Sequence, residues 1–371
     1  MNVVDWIEHA TDLADRVSHT GSRWYQPIAT TPRHELVPAW WEHDGDAWQV
    51  RRGPISGAYA DTSLITRVGP LHADHAGEDD RPTGRPTSSS TQPSLSVSMY
   101  RHGRLNEDAR ILDVGTGSGY GTALLCTRYG SANVTTIDID PYLTATAEGR
   151  LAALGHRPTV LTGDATAALP GMFDRIVATV SVRPIPPEWL AALPVGGRIA
   201  TTIAGTWIIL TAQRTRDGIF GHIARDWSGF MQARRGDDYP DDADDWAKAA
   251  TADGEHIARG RYPVLDIGNA WELHTMIELE VPGLSHQYSE TGGHRTALVT
   301  HSDGSWARAE ADGHEVPLVH QSGPRRLWDE IDRVRDIWLE QGQAPFLGAS
   351  VMVLEDGTVK VRRGTYRATI R

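Results

Sequence analysis

A glycine-rich loop that directly follows a short apolar segment constrains this chain more than any other feature. The stretch RILDVGTGSGYGTALL occupies residues 110–125. Its loop contains four glycines at alternate positions: Gly115, Gly117, Gly119 and Gly121. A buried strand that ends in such a loop and continues as a helix typically holds a nucleotide-like cofactor. The segment therefore predicts a cofactor site and raises the question of which cofactor it is.

The chain after residue 110 continues as an alternation of predicted strands and helices. NVTTIDID, PTVLTGD and FDRIVATV have the composition of buried strands, whereas PYLTATAEGRLAALG and PPEWLAALPVGG are typical of helices. RIATTIAG and WIILTAQRT follow as a later pair of strands. Such an alternation predicts a mostly parallel sheet that is covered by helices on both faces.

The glycine spacing separates two classes of cofactor. The dinucleotide fingerprint GxGxxG requires a glycine at the position that Tyr120 occupies here. An acid, Asp113, stands two residues before the first glycine. This arrangement suits S-adenosylmethionine, which carries no phosphate and whose ammonium group can lie near an acid. We therefore expect a methyl-donor site rather than a nicotinamide site.

Two further acids follow predicted strands at the positions that a nucleoside requires. Asp138 ends the second strand, roughly 20 residues beyond the glycine loop, where an acid takes the ribose hydroxyls. Asp164 ends the third strand, where it can accept from the adenine amino group. Each acid alone also fits a helix cap or a turn, but three at successive strand ends favour a cofactor. The expected cofactor contacts are Asp113, Gly115, Thr116, Gly117, Ser118, Gly119, Tyr120, Asp138, Ile139, Gly163, Asp164 and Ala165.

Charge and cysteine content exclude several classes of protein. The net charge of −12 argues against a nucleic-acid-binding protein, which needs a clustered basic surface. The one cysteine, Cys126, excludes a disulfide framework and is expected in the core of the helix after the glycine loop. Six histidines of the C-terminal third lack metal-ligand spacing, so no metal is expected. They are His274, His286, His294, His301, His314 and His320.

The apolar segments also bear on location. No apolar run is long enough to span a bilayer, so no membrane partner is expected. The N-terminal MNVVDWIEHATDLADRV carries early acids and lacks the basic start of a signal peptide. Its apolar residues recur at helical spacing and predict an amphipathic helix over residues 3–17. A cytoplasmic protein is the expectation.

Changes in composition divide the chain into four predicted regions. Residues 1–105 hold the N-terminal helix and segments of a substrate cleft, with a mobile loop at 72–90 that is rich in Gly, Pro, Ser and charge. Residues 106–235 form the cofactor-binding core. An aspartate-dense linker covers 236–255 and includes DDYPDDADD. Residues 256–371 form a smaller α+β domain with Asp-Gly turns and one amphipathic helix, and we expect it to recognise a peptide.

Several motifs together resemble one family. ILDVGTGSGYGTALL, GDA and FDRIVATVSVRPIPPEWLAALPVGGRIA, with the upstream PRHELVP, AYAD and TQP, resemble protein-L-isoaspartate O-methyltransferases over about residues 25–235. The resemblance implies a class I S-adenosylmethionine-dependent methyltransferase fold, Rossmann-like, with a peptide cleft built from the upstream segments. The substrate-binding residues that it implies are Arg33, His34, Val37, Ser90, Thr91 and Gln92.

Two of these residues are candidates for a catalytic role. Thr91 is expected to orient one oxygen of the substrate carboxylate, and its alternative is a solvated threonine at a strand end. His34 is expected to bind substrate, and its alternative is a structural histidine that holds the PRHELVP loop. A carboxylate is already ionised at neutral pH, so its methylation needs placement more than acid–base help.

The chain departs from the family in ways that bear on the substrate. Thr91 stands where the family has serine, a charged insertion covers about residues 72–86, and the short repair enzymes lack the linker and the C-terminal unit. TTIAGTWIILT also lacks the usual proline-glycine close of the last strand. Extended members of the family accompany graspetide, lanthipeptide or lasso peptide enzymes, and with SSSTQPSLSVSMY and a long Trp-rich C-terminal part this chain most resembles the group that accompanies ATP-grasp ligases in graspetide biosynthesis. That resemblance implies methylation of an aspartate in a cyclised ribosomal precursor peptide, with collapse of the ester to an aspartimide.

Other functions remain open at this point. A general isoaspartate repair methyltransferase is one alternative, and a non-catalytic docking protein for the precursor or its ligase is another. The intact glycines and acids argue against the second. Four C-terminal tryptophans either present an apolar surface to a peptide or fill a small core, and for any one of them the core is favoured. They are Trp271, Trp306, Trp328 and Trp338.

Overall fold

The computed structural model describes residues 3–234, 236, 239, 246–344 and 346–371, which form helices and three β-sheets. The α-helices are α1 (Val3–Val17), α2 (Tyr25–Thr30), α3 (Arg33–Leu36), α4 (Ile55–Ala58), α5 (Pro93–Gly103), α6 (Tyr120–Tyr129), α7 (Pro141–Ala153), α8 (Pro187–Ala191), α9 (Trp246–Thr251), α10 (Trp271–Glu280) and α11 (Leu327–Glu340). The strands are β1 (Trp40–His43), β2 (Trp48–Arg51), β3 (Leu64–Val68), β4 (Leu71–His72), β5 (Pro86–Ser90), β6 (Ile111–Val114), β7 (Val134–Asp138), β8 (Thr159–Thr162), β9 (Arg175–Val182), β10 (Arg198–Ile203), β11 (Ile208–Thr215), β12 (Gly218–Trp227), β13 (His256–Arg259), β14 (Ser285–Thr291), β15 (His294–Thr300), β16 (Trp306–Asp312), β17 (Leu318–Ser322), β18 (Ser350–Val353), β19 (Val359–Arg363) and β20 (Tyr366–Ile370).

The central sheet has the strand order β20-β19-β18-β12-β11-β10-β9-β6-β7-β8. Strands β8, β7, β6, β9 and β10 run parallel, as the sequence predicts, and β11 then pairs with β10 in the antiparallel sense. Neighbouring residues of one strand point to opposite faces. Ile176 and Val177 of β9 accordingly lie in two different apolar clusters, one on each face. Both faces of the sheet are therefore covered.

The last three strands correct one sequence prediction. Strands β18, β19 and β20 were expected in the C-terminal domain, but β18 pairs with β12 and all three extend the central sheet. Their period-two pattern buries Val351, Val353, Val359 and Val361 against the same cluster that contains Ile176. Pairing also covers β12, which would otherwise be an exposed sheet edge. Periodicity predicts a strand but does not tell which sheet the strand joins.

The remaining C-terminal strands form the antiparallel sheet β13-β17-β16-β15-β14. The predicted Asp-Gly turns are confirmed, since Gly304, Gly313 and Gly357 have φ values of 86°, 53° and 83°. Trp306 and Trp328 are 3% and 1% exposed, so these two tryptophans fill the core. Cys126 is likewise buried on α6.

The predicted linker contains a helix at its C-terminal end. Helix α9 lies within 236–255, and its Ala249 is fully buried. The helix contacts β15 and β16. Most of the DDYPDDADD run lies outside the described residues.

The N-terminal sheet has the order β2-β1-β3-β4, and β5 also pairs with β3. A mobile loop at 72–90 was expected, but His72, Thr87, Ser88 and Ser90 are buried, and only residues 77–85 form a mostly exposed stretch. The polar composition misled the prediction, because these hydroxyls bond within the sheet; the Thr66 hydroxyl donates to the Ser88 Oγ at 2.9 Å. No helix among the described residues is long and apolar enough to cross a membrane.

Candidate active site

A two-lobed cavity opens where the parallel strands β6, β7, β8 and β9 end. Ligands of open α/β sheets bind at this edge. The main lobe encloses about 1070 Å³ of empty space, part of it open to solvent, and the inner lobe about 300 Å³. The residues that line both lobes are Ser89, Thr91, Gly115 and Thr179. The lobes therefore meet between the glycine loop and the end of β5.

The glycine loop takes a shape that side chains would prevent. Gly115 and Gly117 have φ values of 98° and 50°. A Cβ at Gly115 would lie 3.0 Å from the Thr179 Oγ1, and one at Gly117 would lie 3.1 Å from the Ser89 carbonyl oxygen. The Gly115 N–H also donates to the Ile137 carbonyl at 2.9 Å, which fixes the loop to β7. Backbone can thus come close to a ligand in both lobes.

Two of the predicted acids face the main lobe. The Asp138 carboxylate accepts hydrogen bonds from the N–H groups of Gly117 at 2.9 Å and Asp140 at 3.2 Å. Burial raises the pKa of Asp138. Asp164 accepts from the N–H and the hydroxyl of Thr166 at 2.8 and 2.7 Å. Asp138 ends β7 and Asp164 follows the neighbouring strand β8, so the two acids line the same lobe.

The third acid, Asp113, lies in the inner lobe and is buried. Its Oδ2 accepts from the hydroxyls of Thr122 at 2.8 Å and Thr136 at 3.2 Å. Burial raises its pKa to about 6, although both hydrogen bonds oppose that rise. The acids therefore divide between the lobes: Asp138 and Asp164 line the main lobe, and Asp113 lines the inner lobe.

The other predicted cofactor residues fall into three groups. Those lining the inner lobe are Thr116, Ser118 and Tyr120. Those lining the main lobe are Ile139 and Ala165. Two glycines line neither lobe: a Cβ at Gly119 would lie 3.2 Å from that of Ala147, and the Gly163 N–H donates to the Asp138 carbonyl at 2.9 Å. These two support the fold around the site.

Arg33 has a structural position that its motif did not reveal. Its guanidinium is fully buried and donates to five backbone carbonyls at 2.8–3.3 Å. These carbonyls belong to Ala58, Ala60, Thr62, Ser90 and Thr91. The guanidinium also lies 5.2 Å from the centroid of the Tyr120 ring. Arg33 therefore holds the end of β5 beside the start of α6, and it lines neither lobe of the cavity.

His34 and Val37 lie outside the cavity lining. The Nδ1 atom of His34 is 2.7 Å from the Tyr59 hydroxyl, and burial lowers the pKa of His34. Val37 is 1% exposed within the N-terminal core. The structure brings neither residue to the glycine loop, so it favours the structural alternative for His34.

Of the segment 90–92, Thr91 lines both lobes, and its predicted role as a hydroxyl donor stays a prediction. Ser90 lines the inner lobe, but it is 2% exposed and its carbonyl accepts from Arg33 at 3.3 Å. Gln92 turns away: its N–H donates to the Ser63 Oγ at 3.0 Å and its amide to Asp61 at 3.3 Å. Ser89 was missed; it lies near the end of β5, two residues before Thr91, and lines both lobes.

A second missed part of the site is the segment 229–234, which follows β12 and lines the main lobe. It is fixed to the end of β9, because the Ser181 N–H and hydroxyl donate to the carbonyls of Met231 and Phe230, each at 2.9 Å. The Ala233 N–H returns a hydrogen bond to the Ser181 carbonyl at 2.9 Å. No local motif marks this segment. Among the described residues there is no group of three metal-ligating side chains.

Comparison with known proteins decides the family. A family described as protein-L-isoaspartate(D-aspartate) O-methyltransferase matches residues 79–220. A protein-L-isoaspartate O-methyltransferase of Paracoccus denitrificans (strain Pd 1222) is 34% identical over 154 residues, which cover 40% of this chain and 69% of that protein. The chain belongs to the protein-L-isoaspartate O-methyltransferase family.

Other members of the family match a shorter part of their length. Protein-L-isoaspartate O-methyltransferase 1 of Anaeromyxobacter sp. (strain Fw109-5) is 34% identical over 136 residues, 35% of this chain and 63% of that protein. The enzyme of Xanthobacter autotrophicus (strain ATCC BAA-1158 / Py2) is 37% identical over 127 residues, 33% of this chain and 57% of that protein. The chain thus spans about three fifths of these two relatives.

A solved structure extends the likeness to the whole fold. A protein-L-isoaspartate O-methyltransferase structure superposes with a TM-score of 0.51 and 16% identity, over 98% of this chain and 99% of its own. The fold is that of class I S-adenosylmethionine-dependent methyltransferases with an added β-rich C-terminal region, which confirms the sequence prediction. A solved structure of that name therefore has a fold that extends over nearly the whole of this chain.

Proposed function

We propose that this chain is an S-adenosylmethionine-dependent carboxyl O-methyltransferase that esterifies an aspartyl side chain in a peptide. The observation that carries the proposal is the division of acids in the cavity. Asp113 lies in the inner lobe, Asp138 and Asp164 line the main lobe, and Thr91 lies where the lobes meet.

The residues of the cavity fit the cofactor. We expect Asp113 to lie near the ammonium group, Asp138 to accept from the ribose hydroxyls and Asp164 to accept from the adenine amino group. Because Gly115 and Gly117 have no side chains, the amino acid and ribose portions of the cofactor can lie close to the backbone of the loop. When bound, S-adenosylmethionine supplies an electrophilic methyl group on a sulfonium. This site would place that group beside Thr91.

The chain's own task is placement and exclusion of water. An aspartyl carboxylate is ionised at neutral pH and needs no general base. In-line positioning lowers the barrier when the reacting atoms are held at contact distance. The Thr91 hydroxyl can donate to one carboxylate oxygen while the other attacks. Arg33 fixes the Thr91 carbonyl at 3.3 Å and thereby the position of that hydroxyl.

Substitution of Thr91 tests this role. Thr91→Val keeps the branched shape but removes the donor, so we expect kcat to fall by about 10- to 100-fold, the effect of one hydrogen bond to a charged group. Affinity for S-adenosylhomocysteine, measured by calorimetry, should not change. Thr91→Ser keeps the hydroxyl and should keep most of the rate. Full activity in the valine variant would contradict the assignment.

The raised pKa of Asp113 predicts a pH dependence of cofactor binding. Burial raises this pKa to about 6, so the carboxyl is largely protonated below that pH, whereas an ammonium group favours the ionised form. Affinity for S-adenosylhomocysteine should rise between about pH 5 and about pH 7 and then level off. Calorimetric titration at several pH values measures it. Asp113→Asn should lose this dependence; a variant that kept it would place the titrating group elsewhere.

For the substrate, we propose an aspartate of a cyclised, graspetide-like ribosomal peptide, with an ATP-grasp ligase of the same pathway as a partner. The next residue's amide nitrogen would attack the methyl ester carbonyl, a C–N bond would form, and methanol would leave with the amide proton. The product is an aspartimide. Support comes from the sequence departures, chiefly Thr91 in place of serine and the charged insertion at about residues 72–86.

General isoaspartate repair is the second candidate, and two observations favour it. The superposition on a solved protein-L-isoaspartate O-methyltransferase spans 98% of this chain, so an extended C-terminal region does not by itself indicate a peptide-maturation enzyme. The relatives reported above also carry the repair enzyme's name. The non-enzymatic alternative, a docking protein, requires that S-adenosylhomocysteine does not bind, which calorimetry tests directly.

Intact-mass spectrometry distinguishes the two substrates. Purified protein and S-adenosylmethionine are incubated with an isoaspartyl peptide, and separately with the candidate precursor, linear and cyclised. We expect the cyclised precursor to gain one methyl group and then lose methanol, with the isoaspartyl peptide unchanged. Methylation of the isoaspartyl peptide alone would contradict the maturation role and establish repair.

A further inference from the structure

Three tryptophans, called here the aromatic patch, lie beside the cavity at the same edge of the central sheet. Trp207 precedes β11, Trp227 ends β12, and Trp271 begins α10. Trp227 is 58% exposed and Trp207 is 36% exposed. Ring centroids are 5.9 Å apart between Trp207 and Trp227, and 6.4 Å apart between Trp227 and Trp271. The rings therefore form one continuous surface.

The patch is held rigidly although it is exposed. The Trp207 Nε1–H donates to the His274 Nδ1 at 2.9 Å. Burial lowers the pKa of His274 to about 4, so it stays neutral and keeps accepting. A Cβ at Gly229 would lie 3.3 Å from the Trp207 ring, so backbone packs directly on it. Ordered tryptophans bind with little further loss of entropy, and exposed apolar patches mark interaction sites.

One segment joins the patch to the cavity. The Ser228 N–H donates to the Trp207 carbonyl at 3.0 Å, and residues 229–234 then line the main lobe. Strands β9, β10, β11 and β12 are successive neighbours, and β9 borders the cavity. Three strand spacings separate β9 from β12, about 14 Å, which about four residues of extended peptide cover.

We propose that the aromatic patch binds an apolar side chain of the same peptide whose carboxylate enters the cavity, about four residues away along that peptide. The proposal rests on the proposed function. The occupant is a leucine-like or aromatic side chain, because the patch offers indole rings and the Trp207 N–H already donates to His274. Tryptophans at the centre of a contact typically contribute most of its affinity.

The experiment compares short fluorescent peptides by anisotropy in the presence of S-adenosylhomocysteine. Two sets contain aspartate or isoaspartate, and within each set the residue three to five positions away is leucine, lysine or glycine. The variant is Trp227→Ala, and the control is Phe220→Ala. Phe220 lies on the same strand, near its other end, and is 42% exposed. Thermal unfolding verifies that both variants are folded.

We expect the wild-type protein to bind the leucine peptide of at least one set about tenfold more tightly than the glycine peptide. Trp227→Ala should lose this preference and Phe220→Ala should keep it. No preference in either set, a preference for lysine, or an undiminished preference in Trp227→Ala overturns the proposal. So does a wild-type dimer in sedimentation that becomes monomeric in Trp227→Ala, because the patch then binds a second copy.

Failure of the proposed function has a different signature. If only the patch proposal is wrong, the wild type and Trp227→Ala both bind S-adenosylhomocysteine and methylate the same substrate, the cyclised precursor or the isoaspartyl peptide, equally well. If the proposed function is wrong, the wild type methylates no peptide and does not bind S-adenosylhomocysteine.

Discussion

Substitution of Arg33 by methionine will lower the free energy of unfolding by about 3–5 kcal/mol, among the largest effects of any single change. The guanidinium is fully buried and serves five backbone carbonyls at 2.8–3.3 Å. Burial lowers its pKa to about 10, so it remains charged at neutral pH and its hydrogen bonds are charge-assisted. Methionine fills part of the volume but leaves these carbonyls without donors, and each unsatisfied buried group is costly.

Urea unfolding of matched variants measures this effect. Arg51→Met removes an arginine whose side chain is 43% exposed and pairs with Glu42, so a change of no more than about 1 kcal/mol is expected. Arg33→Lys should also destabilise strongly. A single ammonium group cannot reach both the carbonyls of residues 58–62 and those of residues 90–91. Equal stability of Arg33→Met and Arg51→Met would show that the five hydrogen bonds contribute little.

Substitution of Asp138 by alanine will weaken binding of S-adenosylhomocysteine by about 100-fold or more. The carboxylate accepts from the Gly117 N–H at 2.9 Å and so shapes the glycine loop. In the proposed complex it also accepts from the ribose hydroxyls. The substitution therefore removes two kinds of hydrogen bond: the one that shapes the glycine loop and the ones to the ribose. Each loss should have the size expected for a hydrogen bond to a charged group.

Calorimetric titration with S-adenosylhomocysteine tests this expectation, and the control is an aspartate at the opposite edge of the sheet. Asp174 precedes β9 and pairs with Arg110 at 3.0 Å, far from the strand ends that carry the cavity. Asp174→Ala should bind S-adenosylhomocysteine like the wild type. If Asp138→Ala stays folded and binds as tightly as Asp174→Ala, Asp138 is not part of the cofactor site.

The parts of the site that sequence predicted correctly are those that local rules govern. The φ values of Gly115 and Gly117 require glycine, and the loop appears in the sequence as glycines after an apolar strand. The acids at strand ends follow because parallel strands bring their carboxyl ends to one edge. Asp138 and Asp164 both line the main lobe. Their positions could therefore be predicted without knowledge of contacts between distant segments.

The parts that sequence missed depend on contacts between distant segments. The motif around Arg33 predicts a position near the cleft. The side chain instead donates to backbone carbonyls of residues 58–62 and of Ser90. Residues 86–90 have a loop-like composition, yet their hydroxyls are satisfied by pairing with β3. The last strands join β12 rather than the C-terminal sheet. None of these pairings leaves a local signal.

The tryptophans illustrate the same limit. Trp306 and Trp328 are buried, whereas Trp227 is 58% exposed beside the cavity. Composition alone cannot distinguish these roles, because a tryptophan on a strand fits either face. Only the return of the segment 229–234 from β12 to the end of β9 brings the aromatic patch next to the main lobe.

A crystal structure with S-adenosylhomocysteine tests the central claim most directly. We expect the adenosine in the main lobe between Asp138 and Asp164, the amino group in the inner lobe beside Asp113, and the sulfur next to Thr91. Binding at another place, or no binding at millimolar ligand, would contradict the assignment of this cavity as a methyl-donor site.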